Sequence, residues 1–395
     1  MFSSKFYVAN ISNNFNFIFA SMSKPSRYKI AHISSAHKDL DVRIFHKECS
    51  SLANLINKNE AEFDVHLILA GVEERIQENV TIHTVPIEKN SRLKRMWKTV
   101  NNVYKKALEI DADIYHLHDP ELLRIALKLK RNGKKVIYDA HEDLPRQILG
   151  KDYLKFKKII SHTAEWYEDF IAKKLDAIVT ATPFIKERFI KVNTNTVNIN
   201  NYPLLSEVDM SDMDHPKQNK ICFIGGISRI RGIRELVESL EFVDVECAIA
   251  GSFPESFKTE IIKENGWSKV EELGFINREE SLKLKSESIA GLVTFLPLPN
   301  HINAQPNKIF EYMASGLPVI GSRFPLWEAI IEKNDCGICV DPENPKEIAK
   351  AIQRIKDNPQ IAKAMGERGK KQVQEVYNWA IEEVKLIELY RSLLI

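Results

Sequence analysis

The sequence predicts an α/β protein built from two doubly wound parallel sheets that face each other. Its 395 residues exceed what one ordinary hydrophobic core accommodates. In both halves, short apolar runs alternate with helical patterns, which is typical of parallel strands joined by crossover helices. A polar tract without apolar periodicity, residues 205–219, separates the two series and predicts a linker.

The elements follow in chain order. Residues 1–26 contain no apolar run long enough for a signal sequence or a membrane span, and we expect an extension outside the regular fold. The domain at 27–204 has predicted strands at 29–33, 65–69, 82–85, 114–117, 135–138 and 177–181. The domain at 220–376 has predicted strands at 220–224, 245–250, 270–275, 291–295, 318–321 and 337–340.

The C-terminal segment 377–395 predicts a helix from Trp379 to Leu394. Its apolar residues recur at helical spacing, which predicts a buried stripe. The residues of that stripe are Ala380, Val384, Ile387 and Leu394.

Composition narrows the class of protein. The chain is 44% hydrophobic and 28% charged, with a net charge near +2, which argues against a dedicated nucleic-acid binder. Its five cysteines form an odd, scattered set, which favours a reducing, cytoplasmic compartment. Cys336 and Cys339 have metal-binding spacing, but no second pair accompanies them, and we interpret them as structural.

The most informative stretch is 303–320, which predicts a helix with an anion-binding first turn. Pro306 suits the first helical position, and Gly316 marks the end. Lys308 stands in the first turn, where the helix dipole is already positive, so a bound phosphate would relieve the conflict. Glu311 lies one turn further on, and we expect a buried carboxylate that accepts two ribose hydroxyls. A surface lysine on an amphipathic helix is the alternative.

This stretch resembles the signature of retaining nucleotide-sugar glycosyltransferases with the GT-B fold, in glycosyltransferase family 4. The resemblance implies two facing Rossmann-like domains with a cleft between them and a terminal helix that returns to the first domain. It also implies that Glu311 holds the nucleotide ribose and that Lys308 lies near the donor phosphates. Asn303 replaces a glutamate that many members use to contact the donor sugar.

The glycine-rich loop 225–232 follows the first strand of the second domain. Glycines allow backbone N–H groups to approach a phosphate, and arginines supply charge. Family members carry a basic residue before a glycine here, and Arg231 with Gly232 resembles that pattern. The donor-binding residues that we expect are Gly226, Arg229, Arg231, Phe275, Asn303, Pro306, Asn307, Lys308 and Glu311.

Polar clusters follow three predicted strands of the first domain, at 32–43, 116–121 and 138–143, and should meet at one sheet edge. The last two resemble "HxHDPEL" and "YDxHED" segments of a bacterial subgroup of family 4. His116 and His118 could share a strand face, but no further ligand is recognisable, so we expect no metal site. The acceptor-side residues that we expect are His37, Asp41, Arg43, His118, Asp119, His141 and Glu142.

The resulting hypothesis is metal-independent transfer of a sugar from a UDP- or GDP-linked donor to a carbohydrate or lipid-linked acceptor, with retention and without a cofactor. We expect such a reaction in surface polysaccharide or lipopolysaccharide synthesis. The basic, amphipathic segment 89–106 predicts contact with an anionic membrane at the inner face of the plasma membrane, and a solvated helix face is the alternative. The catalytic residues that we expect are His141, Arg231 and Lys308. A sugar-nucleotide 2-epimerase and a non-catalytic nucleotide-sugar-binding scaffold are the alternatives.

Overall fold

The structure, a computed structural model, describes residues 27–55, 63–87, 95–151, 154–206 and 216–395. The N-terminal extension, most of the predicted linker and the start of the basic segment lie outside these residues. The boundaries given to the extension and the linker therefore stay predictions.

The first half of the chain forms an eight-stranded sheet in the order β3-β4-β2-β1-β5-β6-β7-β8. Every neighbouring pair is parallel except β3 with β4. The short edge strands β3 and β8 were not predicted from the sequence. The strands are β1 (Tyr28–Ile33), β2 (Phe63–Ala70), β3 (Arg75–Gln77), β4 (Val80–Val85), β5 (Ile114–Leu117), β6 (Lys135–Ala140), β7 (Ala177–Thr180) and β8 (Thr196–Asn198).

Helices cover both faces of this sheet, and a buried apolar core lies on each face. The central strand β5 has no exposed residue, as expected for a parallel strand covered on both sides. The helices are Val42–Cys49 running into Ser50–Ala53, Arg95–Thr99 running into Val100–Ile110, Pro120–Leu122 running into Leu123–Arg131, Leu144–Leu149, Lys157–Ala172 and Pro183–Phe189.

The second half forms a six-stranded, all-parallel sheet in the order β11-β10-β9-β12-β13-β14. Numbered from its own first strand, this is the 3-2-1-4-5-6 order of dinucleotide-binding folds. The predicted doubly wound α/β class is confirmed for both sheets. The strands are β9 (Lys220–Ile224), β10 (Glu246–Ala250), β11 (Val270–Gly274), β12 (Ala290–Val293), β13 (Val319–Ser322) and β14 (Gly337–Val340).

The helices of the second half again lie on both faces of their sheet. Their starts carry ordinary capping chemistry, since Asn277 and Glu280 form a reciprocal capping box and Asn344 caps the helix that begins at Pro345. The helices are Arg229–Arg231, Ile233–Ser239, Leu240–Phe242, Glu255–Ile261, Asn265–Lys269, Arg278–Glu287, Asn307–Ala314, Pro325–Ile331, Pro345–Asp357 and Pro359–Glu375.

The terminal helix Trp379–Leu394 packs against the first sheet, as the family resemblance implies. Its predicted stripe was wrong at two of four positions, because Val384 is 53% exposed and Ala380 is exposed as well. Ile387 is buried as predicted, and Leu394 is part-buried. The buried apolar residues are Trp379, Leu386, Ile387, Leu389, Tyr390 and Leu393.

Each sheet has a point where its strand order reverses, between β1 and β5 in the first and between β9 and β12 in the second. Ligands of open α/β sheets bind outside the carboxyl ends of the strands at this point. The polar segments singled out from the sequence follow these strands. Among the described residues, no helix combines the length and the apolar character needed to cross a lipid bilayer.

Candidate active site

The loop after β9 brings backbone and cations into close contact. Gly225 has a φ of 130°, which favours glycine, and a Cβ there would collide with the Lys308 ammonium group. A Cβ on Gly226 would lie 2.8 Å from Nη1 of Arg231. Arg231 Nη1 donates a hydrogen bond of 3.1 Å to the Gly226 carbonyl. The two glycines therefore make room for the two cationic side chains at one strand end.

Lys308 and Arg231 are part-buried, and among the described residues neither forms an ion pair with a carboxylate. Burial lowers the pKa of Lys308 to about 8, with a further contribution from the positive charge of Arg231 and an opposing one from Glu311. Burial likewise lowers the pKa of Arg231. Two cations held together without an acid are electrostatically unfavourable until an anion joins them.

The helix that carries Lys308 begins at Asn307. Pro306 precedes it in an extended conformation, so the prediction that Pro306 is the first helical residue was wrong by one position. Extended backbone is usual for the residue before a helix, and the fixed φ of proline fits it. The predicted end is confirmed, because Gly316 adopts a φ of 62° and its N–H donates to the Met313 carbonyl.

Glu311 is exposed, contrary to our expectation of a buried carboxylate. It lies in the wall of a cavity of about 370 Å³ between the two halves of the molecule. Val42 and His46 line this cavity from the first half, and Arg278 and Ser281 line it from the second. An exposed carboxylate in an open cleft is available to ligand hydroxyls.

Three other expected donor-site residues have no contact with Lys308 or Arg231 among the interactions of the described residues. Arg229 is exposed and lies 3.9 Å from the Glu260 carboxylate, so the structure does not bring it to Lys308. Phe275 follows β11 with 93% of its side chain exposed. Asn303 lies part-buried in the turn before the helix.

In the first half, the loop after β1 is held by Asp119. Asp119 accepts hydrogen bonds from the Ser34 hydroxyl at 2.8 Å and the Ser35 N–H at 2.6 Å, and lies 3.2 Å from Nδ1 of His37. Burial alone would raise the pKa of Asp119, but His37 and these donors lower it to about 2. The same ion pair raises the pKa of His37 against the effect of burial. Asp119 therefore fixes the loop and orients His37.

Asp139, at the end of β6, organises the next layer. Its two oxygens accept hydrogen bonds of 2.9 Å from Nε and Nη2 of Arg43, and His118 Nδ1 lies 3.2 Å away. Nδ1 of His141 lies 3.4 Å from the same carboxylate. Burial raises the pKa of Asp139, but Arg43 and the two histidines hold it well below its usual range. Asp139 is thus an ionised anchor for His141.

The acceptor-side residues accordingly fall into two groups. His37 and His141 are partly exposed, with rings in edge contact at 5.0 Å between centroids. Asp41 accepts hydrogen bonds from the N–H groups of Arg43 and Ile44 and caps the helix Val42–Cys49. Glu142 is exposed and accepts a hydrogen bond from Gln147. Arg43, His118 and Asp119 are buried beneath them.

Sequence reasoning missed three buried residues around His118: Glu48, Asp139 and Tyr390. Glu48 comes from a helix and Tyr390 from the C-terminal helix, 342 positions apart in the chain, so no local spacing could have joined them. The one indication of this cluster in the sequence is that Asp139 lies close in the chain to the predicted site residue His141.

The two Rossmann-like halves are the architecture of the GT-B class of glycosyltransferases. Two family models match the chain, glycosyltransferase family 4 over residues 49–199 and glycosyl transferases group 1 over residues 209–372. The chain belongs to the family 4 type of GT-B glycosyltransferases.

Individual relatives agree with this family. The chain is 23% identical over 332 residues to an uncharacterized glycosyltransferase of Methanocaldococcus jannaschii, covering 82% of this chain and 89% of that protein. The sucrose-phosphate synthase structure from Thermosynechococcus elongatus has a TM-score of 0.74 at 17% identity, covering 93% of this chain and 99% of that one. The Anabaena protein HepE in complex with UDP has a TM-score of 0.67 at 13% identity, covering 93% and 100%.

Proposed function

We propose that this glycosyltransferase moves a sugar from a nucleotide-sugar donor, UDP- or GDP-linked, to a carbohydrate or lipid-linked acceptor with retention at the anomeric carbon. The observation that carries the proposal is the part-buried pair of Lys308 and Arg231 at the strand-order reversal of the second sheet, without a carboxylate partner among the described residues. The UDP complex of the similarly folded HepE supports a uridine donor.

The donor diphosphate meets three groups at this site. Lys308 and Arg231 supply positive charge, and the first N–H groups of the helix Asn307–Ala314 point toward the same end of the sheet. Charge grows on the departing diphosphate in the transition state, so fixed donors in a cleft stabilise that state most. Glu311, exposed in the cavity wall, accepts the ribose hydroxyls.

The reaction breaks the bond between the anomeric carbon and the diphosphate oxygen and forms one to the acceptor hydroxyl oxygen. The acceptor proton passes to a donor phosphate oxygen on the same face, which accounts for retention without a nucleophilic carboxylate. His141, oriented by Asp139, contacts the donor sugar or the acceptor. No metal is needed at the diphosphate in this scheme, because the two side-chain cations supply the charge.

The first half also offers a surface for an anionic membrane. The helix Lys157–Ala172 exposes an apolar face that includes Ile159 and Trp166, each 66% exposed. Trp97, 60% exposed, stacks on Arg124. Burial raises the pKa of Tyr167, against a smaller opposing effect of the Arg124 charge. Aromatic side chains beside lysines suit the interface of an anionic bilayer. We place the enzyme at the inner face of the plasma membrane, in surface-polysaccharide or lipopolysaccharide synthesis.

A panel of nucleotides and nucleotide sugars tests the donor site by thermal shift. A specific ligand raises the melting temperature by mass action, and we expect a nucleoside diphosphate to do so in the parent but not in Lys308→Ala. The cognate donor is then incubated with candidate acceptors. If epimerised sugar forms without an acceptor, the protein is a 2-epimerase and not a transferase. If no bound donor is converted, the protein is a non-catalytic binding scaffold.

A further inference from the structure

Three histidines and a glutamate form a cluster inside the first half, apart from the donor cations. His32 on β1 and His116 on β5 are direct neighbours in the strand register. His118 follows β5, and Glu48 covers the three rings from the helix Val42–Cys49. All four side chains are fully buried.

The donor atoms of this cluster converge on one point. Oε2 of Glu48 lies 3.8 Å from Nδ1 of His32, from Nδ1 of His116 and from Nε2 of His118. Nδ1 of His32 lies 2.9 Å from Nε2 of His118, and all four atoms lie within 4.8 Å of one another. Zinc–nitrogen bonds of about 2.0–2.1 Å place tetrahedral ligand atoms about 3.3 Å apart, which falls within this range of distances.

The outer nitrogens of two of the three histidines have the partners that a metal-bound histidine requires. Nε2 of His32 lies 3.1 Å from the Tyr390 hydroxyl, and Nδ1 of His118 lies 3.2 Å from the Asp139 carboxylate. Such hydrogen bonds fix the ring so that its other nitrogen faces the metal. His116 differs, because the Tyr390 hydroxyl lies 2.8 Å from its Nδ1, the nitrogen that faces Glu48, and a bound ion would replace this contact. Its Nε2 has no hydrogen-bond partner within the described residues. Burial lowers the pKa of all three histidines, which leaves them as neutral imidazoles.

The charges of the cluster balance only if Glu48 holds a proton or a cation joins it, and burial raises the pKa of Glu48 well above its usual range. Glu48 and Asp139 are both fully buried. Among the described residues, Arg43 is the permanently charged side chain that lies within ion-pair distance of these two carboxylates. Neither oxygen of Glu48 has a hydrogen-bond partner within the described part of the chain. A buried carboxylate in this state needs either a proton or a cation.

We propose that Glu48, His32, His116 and His118 bind one zinc ion as a structural site. Four protein ligands and complete burial match closed, structural zinc sites rather than catalytic ones, which keep an open position. The ion would join β1, β5 and the helix Val42–Cys49, and through Tyr390 it would fasten the terminal helix to the first half. Asp139 would link the site to His141. This departs from the sequence-based expectation of no metal, because the completing ligands are distant in the chain.

Metal analysis of the purified protein tests the proposal. The protein is produced with zinc in the medium and purified by a tag that binds no metal, without chelator. We expect about one zinc per chain in the parent and its loss in Glu48→Gln. Glutamine has the size and hydrogen-bonding capacity of a protonated glutamate, so a site that holds a proton instead would tolerate it. His141→Ala and His83→Asn are controls that keep the zinc, since neither belongs to the four.

Two further measurements keep the test decisive if Glu48→Gln does not fold. Protein grown with cobalt should show the intense visible absorption of tetrahedral Co²⁺. Tyr390→Phe removes only an outer hydroxyl, and we expect about 10- to 100-fold weaker zinc affinity in competition with a chromophoric chelator. Parent protein without stoichiometric zinc or tetrahedral cobalt absorption overturns the proposal, as does unchanged zinc in Glu48→Gln. Transfer activity does not enter these readouts, so the proposed function can fail independently.

Discussion

The pKa of Lys308 gives a sharp test of the donor site. In the free protein, burial and Arg231 lower this pKa to about 8. A bound diphosphate favours the charged amine and raises the pKa again, so binding takes up a proton when the pH exceeds 8. Below pH 8 the amine is already charged and affinity is greatest. Affinity for UDP should therefore fall as the pH rises above 8.

The size of the effect follows from the shift. Each pH unit above the free pKa costs about tenfold in affinity until the pKa of the complex is reached, so UDP should bind about 25-fold more weakly at pH 9.5 than at pH 7.5. The diphosphate contributes little, because phosphate completes its second ionisation near pH 6. The uracil N3–H also ionises at alkaline pH, and its effect is the same in the parent and in variants of Lys308, so the difference between their profiles measures Lys308. Neighbouring groups also titrate outside this window, since burial lowers the pKa of His301 and raises that of Tyr312.

Isothermal titration of UDP at constant ionic strength measures the dependence. Lys308→Arg is the matched control, because its guanidinium stays charged throughout and leaves only the small loss due to the uracil base. Lys308→Met should bind weakly and also show only this small loss. A flat profile in the parent, or the same slope in Lys308→Arg, would refute the assignment of Lys308 to the diphosphate.

Three other predictions concern the same surfaces. Glu311→Gln should weaken UDP affinity and turnover together, since charged hydrogen bonds contribute about 1.5–3 kcal/mol each; unchanged affinity in a folded variant removes it from the site. Arg231→Ala and Lys308→Ala should each lower turnover about a hundredfold to a thousandfold and combine non-additively, without dependence on added Mg²⁺ or Mn²⁺; strict dependence on an added ion would contradict this. Replacing Ile159 and Trp166 with Ser should reduce binding to anionic vesicles at least about tenfold, since each buried large apolar side chain contributes about 1.5–3 kcal/mol. Turnover of a water-soluble acceptor should stay unchanged. Equal vesicle binding by the variant and the parent would show that this face does not bind the membrane.

The sequence by itself determined the fold class and the position of the candidate donor helix. Apolar runs alternating with helical patterns predicted both sheets, because burial on two faces imposes that pattern locally. The helix Asn307–Ala314 was predicted from local signals, since Pro306, Lys308 and Gly316 lie within a few turns of one another. The errors there were small, one position at Pro306 and the exposure of Glu311, and both depend on what packs nearby.

Only the tertiary structure decided the organisation of the first half. The buried face of the terminal helix depends on the surface it meets, so the predicted stripe included Ile387 correctly but Ala380 and Val384 wrongly. Glu48, Tyr390 and Asp139 surround His118 through contacts between distant segments. The local spacing of residues in the sequence cannot predict such contacts. The pairing of His32 with His116 needed the strand order and register, which place β1 beside β5. These buried side chains come from separate elements, and the order of the strands and the packing of the helices bring them together only in the folded chain.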